Sequence, residues 1–346
     1  MKKKISWSTV YLIITIIAVL LFGFTNNQFA NVLSTMFKLD LIQLGLAGLM
    51  QIGFIIVEAL IILFLLKKSG ENVKLGSALK VSLIGLYYCS ITPSATGGQP
   101  AQVAYLKRDN SINVASSVAS LSLKFFTYQV AIVILGISSL VFMFDKINST
   151  TPQLIIIIIL GILVNSAWIA LFVPMIFSKK FLAKLCNLLR KIVNKIKFIK
   201  NKEKRIASIA SFEADFQIYS KKYRENKKIV LYSILFSFPE VILQMGVLYF
   251  IFSSFGNVNH SFIEITAMQF LLQTSVSFMP MPGAAGAQEL GFTAFLGPYF
   301  PETQMFAAVL IWRFFTYYSV IISGATLIII DEIIQKKKRR KNLINL

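Results

Sequence analysis

Five ionisable side chains lie well inside long apolar stretches of this sequence: Glu58, Lys124, Glu240, Glu289 and Arg313. Because a charge at the centre of a membrane helix costs about 2.5 to 3.5 kcal/mol, each of them needs a partner or a function. Lys124 and Arg313 predict a site that holds an anionic group such as a lipid phosphate. Internal ion pairing, for instance of Glu289 with Arg313, is the alternative. Glu58 and Glu240 are candidates for interhelical hydrogen bonding or for proton coupling.

Two further apolar stretches are interrupted by Pro and Gly near their middle, in TPSATGGQP at 92–100 and in MPMPGAAG at 279–286. Pro and Gly leave backbone groups without helical partners, which is tolerated at membrane depth only where protein or water satisfies them. The stretches 81–106 and 262–296 are therefore predicted to be broken helical hairpins around a polar cavity, either re-entrant or fully spanning.

The residues of these interruptions are the candidate site. The predicted hairpin tips contain Pro93, Gly97, Gly98, Pro282, Gly283 and Gly286. The predicted substrate-binding residues are Lys124, Glu289 and Arg313 together with the polar side chains around the tips, Thr92, Ser94, Thr96, Gln99, Gln102 and Gln288.

Six uninterrupted segments are long enough to cross a bilayer as helices. With 56% hydrophobic and only 14% charged residues among 346, the composition predicts an all-α polytopic membrane protein. A single His and two Cys argue against a zinc site or a disulfide framework, so no metal, cofactor or catalytic residue is predicted. The six segments are 7–24, 41–66, 114–144, 154–177, 229–255 and 305–330.

Basic residues predict the orientation of the chain. With a cytoplasmic amino terminus and hairpins that return to the side they entered, only four of the 35 Lys and Arg residues fall outside the cytoplasm: Lys38, Lys124, Lys146 and Arg313. This asymmetry follows the positive-inside rule. It predicts a multi-pass protein of the cell membrane with both termini in the cytoplasm.

Two of the cytoplasmic regions are strongly basic. The segment 178–228 has 16 basic against 4 acidic residues, and the tail contains KKKRRK at 336–341. Apolar residues at helical spacing in the first region predict an amphipathic helix, so both regions are expected to bind anionic lipids of the inner leaflet. Contact with such lipids explains the charge, and no nucleic-acid partner is expected.

The sequence also contains an internal repeat. At an offset of 189 residues, Pro93, Ala95, Gly97 and Gln99 align with Pro282, Ala284, Gly286 and Gln288, and KFFTY at 124–128 aligns with RFFTY at 313–317. We therefore predict two repeats of inverted topology, as in transporters with a binding site near the bilayer midplane. The first, 1–150, contains two spans, a hairpin entering from the cytoplasm and a span. The second, 151–346, contains a span, the basic insert 178–228, a span, a hairpin entering from outside, a span and the basic tail.

The ordered motifs TPSATGGQPAQVAYL, LKFFTY, PMPGAAGAQELGF and WRFFTYY resemble the flippase-like transmembrane family that includes the membrane part of lysylphosphatidylglycerol synthase, the multiple peptide resistance factor. The resemblance covers essentially the whole chain. It implies a domain that moves aminoacylated phosphatidylglycerol or polyprenyl-linked carriers between leaflets, in a family associated with antibiotic resistance. The resistance factor also has a soluble C-terminal domain that transfers lysine from aminoacyl-tRNA. Because this chain ends soon after Ile330, that activity is not expected.

The sequence thus favours a lipid translocase that moves an anionic or aminoacylated phospholipid, or a polyprenyl-linked lipid, through a midplane site. The alternatives are a phosphatidylglycerol lysyltransferase, a membrane subunit of such an enzyme, or a non-transporting envelope scaffold. A separate lipid synthase is a candidate partner. ATP hydrolysis by this chain is not expected because the sequence has no Walker-type phosphate loop.

Overall fold

The computed structural model describes residues 35–196, 201–257 and 259–344, with side chains up to residue 337. The predicted first span, 7–24, lies outside the described residues, as do most side chains of the basic cluster at 336–341. Every regular element within the described ranges is helical, and the chain is an all-α polytopic membrane protein, as predicted. The helices are α1 (Leu41–Ser69), α2 (Leu75–Ile91), α3 (Gly98–Asn110), α4 (Val114–Thr150), α5 (Gln153–Phe177), α6 (Lys179–Lys195), α7 (Lys202–Glu225), α8 (Lys227–Ser254), α9 (Phe262–Val276), α10 (Ala287–Leu296), α11 (Glu302–Arg313) and α12 (Ser319–Ile344).

Five of the six predicted spans are confirmed as helices long and apolar enough to cross a membrane. Four of them are α1, α4, α5 and α8. The fifth is formed by α11 and α12, which a π-helical turn at Phe314–Tyr318 joins into one rod. α1 and α8 pack along each other more extensively than any other pair, and α4 packs against both. These three helices therefore form the centre of the fold.

Capping residues define both ends of α1. Asp40 precedes the helix, and its Oδ1 accepts a hydrogen bond from the Ile42 N–H at 2.8 Å. This bond satisfies one of the donors that have no partner within the first turn. Gly70 follows the last turn in the left-handed region, with φ 99°, a conformation that glycine adopts without steric cost.

Both predicted hairpins are present as broken helices. α2 and α3 pack together on either side of a 3₁₀ turn at Pro93–Ala95, and α9 and α10 do so around a 3₁₀ turn at Pro282–Ala284. The shorter arms, α3 and α10, have 13 and 10 residues. At about 1.5 Å per residue they are about 20 and 15 Å long, less than the roughly 30 Å of a hydrocarbon core.

Glycines close the first hairpin. A Cβ at Gly98 would collide with Sγ of Cys89 and with the carbonyl oxygen of Gly85, and a Cβ at Gly85 would collide with the side chain of Gln102. The two arms therefore approach more closely than larger residues would permit.

Gly161 brings α5 directly against the backbone of α9. A Cβ at this position would lie 2.7 Å from the carbonyl carbon of Thr274, a backbone atom that cannot turn aside as a side chain can. We expect Gly161→Ala to lower the free energy of unfolding by about 1 to 3 kcal/mol, as measured by thermal unfolding in detergent. Gly45→Ala is the matched control because a Cβ there meets no atom within 4 Å. Equal melting temperatures of the two variants would contradict this close approach.

Ion pairs hold the open end of each hairpin to a long span. At one end of the molecule Lys80 of α2 and Arg108 of α3 both pair with Asp331 of α12. At the opposite end Lys146 of α4 pairs with Glu264 of α9 at 2.5 Å. The first hairpin is thereby tied to the span formed by α11 and α12, and the second to α4.

α6 and α7 form a layer across the end that contains Lys80. Cys186 of α6 and Phe216 of α7 are buried in their common interface, and Lys222 donates a hydrogen bond to the carbonyl of Ser69 at the end of α1. The same apolar face of α6 extends to Leu188, Leu189 and Ile192, which are exposed. α6 thus has the amphipathic pattern that the sequence predicted.

Candidate functional site

The tips of the two hairpins contact each other. The turn Pro93–Ala95 lies against the turn Pro282–Ala284. Tyr317 of the π-helical turn borders both: its hydroxyl donates a hydrogen bond to the Ser90 carbonyl at 3.2 Å, and its ring occupies the space that a side chain at Gly283 would need. Of the residues that the sequence predicted as tips, Pro93, Pro282 and Gly283 are therefore brought together at one place.

The two tips share one backbone conformation. Ser94 and Ala95 have φ values of 49° and 54°, and the residues 189 positions later, Gly283 and Ala284, have φ values of 58° and 47°. Three of these four are not glycine, and left-handed backbone is unfavourable for them. A turn that repeats such a conformation at equivalent positions is a specific feature of this fold.

Polar side chains satisfy the backbone of the first tip. The Thr92 hydroxyl donates to the Tyr88 carbonyl at 2.6 Å and accepts from the Gly97 N–H at 2.9 Å. The Thr96 hydroxyl donates to the Pro93 carbonyl at 3.0 Å. Ser94 and Thr96 are exposed, so the tip presents hydroxyl groups to its surroundings.

An ion pair fixes the second tip. Arg313 Nε donates to Glu289 Oε1 at 2.6 Å, and the guanidinium also donates to the Gly283 carbonyl, from Nη2 at 3.3 Å and Nη1 at 3.4 Å. Glu289 Oε2 accepts from the Gly286 N–H at 2.6 Å. The pairing of Glu289 with Arg313, the alternative that the sequence left open, is thus present and holds both ends of the turn.

Lys124 lies between two carboxylates. Its Nζ is 3.2 Å from Glu58 Oε1 of α1 and 2.9 Å from Glu240 Oε1 of α8. The Lys124 side chain is 15% exposed, whereas those of Glu58 and Glu240 are 5% and 0% exposed. Ser82 of α2 donates its hydroxyl to Glu58 Oε2 at 3.0 Å. We call Glu58, Lys124 and Glu240 the ion triad; it joins three spans to the first hairpin.

An aromatic ring and an amide complete the surroundings of Lys124. Its Nζ lies 4.9 Å from the centre of the Tyr128 ring, within the range of a cation–π interaction. The Tyr128 hydroxyl donates to Gln244 Oε1 at 2.6 Å. Lys124 therefore has stabilising contacts on several sides.

The predicted glutamines lie at different places. Gln102 is buried between the arms of the first hairpin, where its Nε2 donates to the Val81 carbonyl at 3.4 Å. Gln288 is buried in the second hairpin and donates to Gln273 Oε1 at 2.9 Å. Gln99 is half-buried in the first turn of α3. Gln102 and Gln288 thus connect hairpin arms.

The family of the chain follows from comparison with known sequences. Residues 9 to 324 match the family described as the lysylphosphatidylglycerol synthase TM region. The chain belongs to this family. It is 24% identical over 335 residues to a UPF0104 membrane protein of Archaeoglobus fulgidus, which covers 89% of this chain and 92% of that protein. It is 27% identical over 267 residues to a UPF0104 membrane protein of Pyrococcus horikoshii, over 74% of this chain and 76% of that protein.

Three features of this family member were not predicted from its sequence. One is the position of Glu58 and Glu240 on either side of Lys124. The second is the π-helical turn directly after Arg313; such turns are frequent at functional sites. The third is the pair of ion clusters at the open ends of the hairpins. No group of His, Cys, Asp and Glu that could hold a metal ion occurs within the described ranges.

Proposed function

We propose that this protein is a lipid translocase that moves an anionic or aminoacylated phospholipid, or a polyprenyl-linked lipid, between the leaflets. The observation that carries the proposal is the contact between two irregular hairpin tips, with Arg313 bonded to the second tip and the ion triad of Lys124 bonded to the first hairpin. Non-helical backbone is tolerated at membrane depth only against protein or water, and we take the tips to border a polar cavity. A lipid head group passing between leaflets requires the same kind of cavity.

Both hairpins are proposed to be re-entrant and to enter from opposite sides. Their shorter arms are too short to span a hydrocarbon core, yet the tips touch. Residues 1–150 and 151–346 are then inverted repeats, which the equivalent left-handed tips support. Transporters of this architecture bind their substrate at broken helices between the repeats and expose it alternately to the two faces.

The proposed head-group site consists of the exposed tip residues and the two cations. Ser94 and Thr96 offer hydroxyl groups, and Lys124 and Arg313 offer positive charge once an anionic group competes with their present partners. The remaining predicted residues, Thr92, Gln99, Gln102, Gln288 and Glu289, support the hairpins around this site. The family description, which refers to a lysylphosphatidylglycerol synthase, supports a phospholipid of this class as substrate.

The protein is proposed to lie in the cell membrane with both termini and the α6–α7 layer in the cytoplasm. The exposed apolar side of α6 and its flanking lysines suit the surface of an anionic inner leaflet. A lipid synthase that delivers substrate to this leaflet is the proposed partner.

Leaflet exchange in vesicles tests the function. Purified protein is reconstituted with a fluorescent phosphatidylglycerol in a phosphatidylcholine background, and a membrane-impermeant quencher reports the lipid that reaches the outer leaflet. We expect Glu289→Gln/Arg313→Met to slow exchange by about tenfold or more, the equivalent of one lost charge-assisted contact. The variant loses both charges of the pair, so no charge is left unpaired.

The matched control is Arg190→Met/Glu213→Gln, which removes another Arg–Glu ion pair, with a more exposed arginine, in the α6–α7 layer. We expect it to exchange lipid at the wild-type rate. Absence of exchange by the wild-type protein would contradict the translocase and favour a scaffold. Formation of lysyl-lipid from charged tRNA by the purified protein would establish the lysyltransferase instead.

A further inference from the structure

The charges of the ion triad do not cancel. One ammonium and two carboxylates carry a net charge of −1 when all three are ionised, and they lie in a site that is almost completely buried. An uncompensated charge is costly at membrane depth, and two carboxylates that share a site resist being ionised together. A single proton makes the triad neutral.

The structure distinguishes the two carboxylates as acceptors of that proton. Glu58 Oε2 already accepts a hydrogen bond from the Ser82 hydroxyl. Glu240 Oε2 is buried and has no hydrogen-bond partner among the residues that the structure describes. Oε2 of Glu240 is therefore the atom at which a proton would add without displacing an existing bond.

Two other titratable side chains face the triad, Tyr128 of α4 and Cys89 of α2, and both interact electrostatically with its members. Ordinary Tyr and Cys side chains are neutral near pH 7. The three groups of the triad thus set its charge.

We propose that the ion triad binds one exchangeable proton, on Glu240, and that this proton frees Lys124 to pair with the anionic head group of a lipid. Proton binding stands on the triad alone, whereas the coupling to lipid rests on the proposed function. A protonated Glu240 no longer competes for Lys124. A phosphate with one negative charge then takes the place of the Glu240 carboxylate beside Lys124. Proton and anion then enter together, and the net charge of the site stays at −1. Lys124, the most exposed member of the triad, is the one that an incoming head group can reach.

Infrared difference spectroscopy tests the proton site directly. Purified protein in phosphatidylcholine nanodiscs is shifted between mildly alkaline and mildly acidic buffer, and the carbonyl band of a protonated carboxylic acid is followed. We expect a band in wild-type protein that is absent from Glu240→Gln and retained in Glu213→Gln, whose glutamate lies in the α6–α7 layer. The same band in Glu240→Gln as in wild type would overturn the proton site.

Retention of lipid tests the coupling. Phosphatidylglycerol is offered in a phosphatidylcholine background, and the amount bound to protein is measured against pH. We expect wild-type affinity to rise by up to about tenfold per unit fall in pH, as for one proton taken up per lipid. Glu240→Gln, which imitates the protonated side chain, is expected to bind strongly and without pH dependence, whereas Glu240→Asp keeps the dependence.

The two failures are distinguishable. A band that depends on Glu240, accompanied by lipid retention that is indifferent to pH, would overturn the coupling and count against the proposed lipid site, while the proton site would stand. Lipid binding that depends on pH equally in wild type and Glu240→Gln would overturn the assignment of the proton to Glu240. It would leave the proposal of a lipid translocase unaffected.

Discussion

Replacing Lys124 with alanine lowers the free energy of unfolding by about 3 to 5 kcal/mol at neutral pH, because Glu58 and Glu240 are left buried without a cation. The loss is smaller in acidic buffer, where the carboxylates take up protons and no longer repel each other. The stability of this variant relative to wild type therefore increases as the pH falls. Thermal unfolding in detergent, at neutral and at mildly acidic pH, measures both effects.

The neutral variant Glu58→Gln/Lys124→Met/Glu240→Gln separates the charge from the loss of a side chain. It removes the unpaired carboxylates together with the cation, so we expect most of the lost stability to return. We expect no lipid exchange by this variant, because it lacks the ammonium group that would pair with the head group. A Lys124→Ala variant as stable as wild type at neutral pH would show that the triad does not hold the three spans together.

Arg313→Ala is expected to release the second hairpin tip. The substitution breaks the pair with Glu289 and removes both donors to the Gly283 carbonyl. Because the Glu289 side chain is 22% exposed, the expected loss of unfolding free energy is about 3 kcal/mol, the lower end of the range for a broken buried pair. Leaflet exchange stops, and amide hydrogen exchange of the Pro282–Ala284 turn becomes faster.

The controls for Arg313 test both charge and geometry. Arg313→Lys keeps the charge but lacks the planar group that reaches Glu289 and Gly283 together, so we expect exchange intermediate between wild type and Arg313→Ala. Arg190→Ala breaks a pair with Glu213 away from the tips, and we expect leaflet exchange at the wild-type rate. Unchanged amide exchange at the turn in Arg313→Ala would contradict the role of Arg313 in holding the tip.

The elements that local composition determines could be predicted from the sequence. Long apolar runs define α1, α4, α5, α8 and the joined rod α11–α12, since only a helix satisfies its own backbone in a bilayer. Pro93 and Pro282 mark the two breaks, where the structure has 3₁₀ turns. These features depend on a few neighbouring residues.

Whether the partner of a buried cation could be predicted depends on how far apart the two residues lie along the chain. Glu289 lies 24 residues before Arg313, in the adjacent hairpin, and this pair could be suggested from the sequence. Glu58 lies 66 residues from Lys124, on a helix whose packing no local pattern specifies. The π-helical turn is a similar case, because FFTY is regular α-helix in α4 and π-helical after Arg313. Tertiary packing thus decides the chemistry that surrounds the tips.

The most direct test of the central claim is a reversible link between the two tips. Cysteines replace Ser94 and Ala284 in a protein whose natural Cys89 and Cys186 are changed to serine, and a cleavable thiol reagent joins the two turns. A head group that passes between the tips requires them to separate, so lipid exchange in vesicles should stop on cross-linking and return when the link is cleaved. Exchange that continues at the full rate in completely cross-linked protein would contradict a route between the hairpin tips.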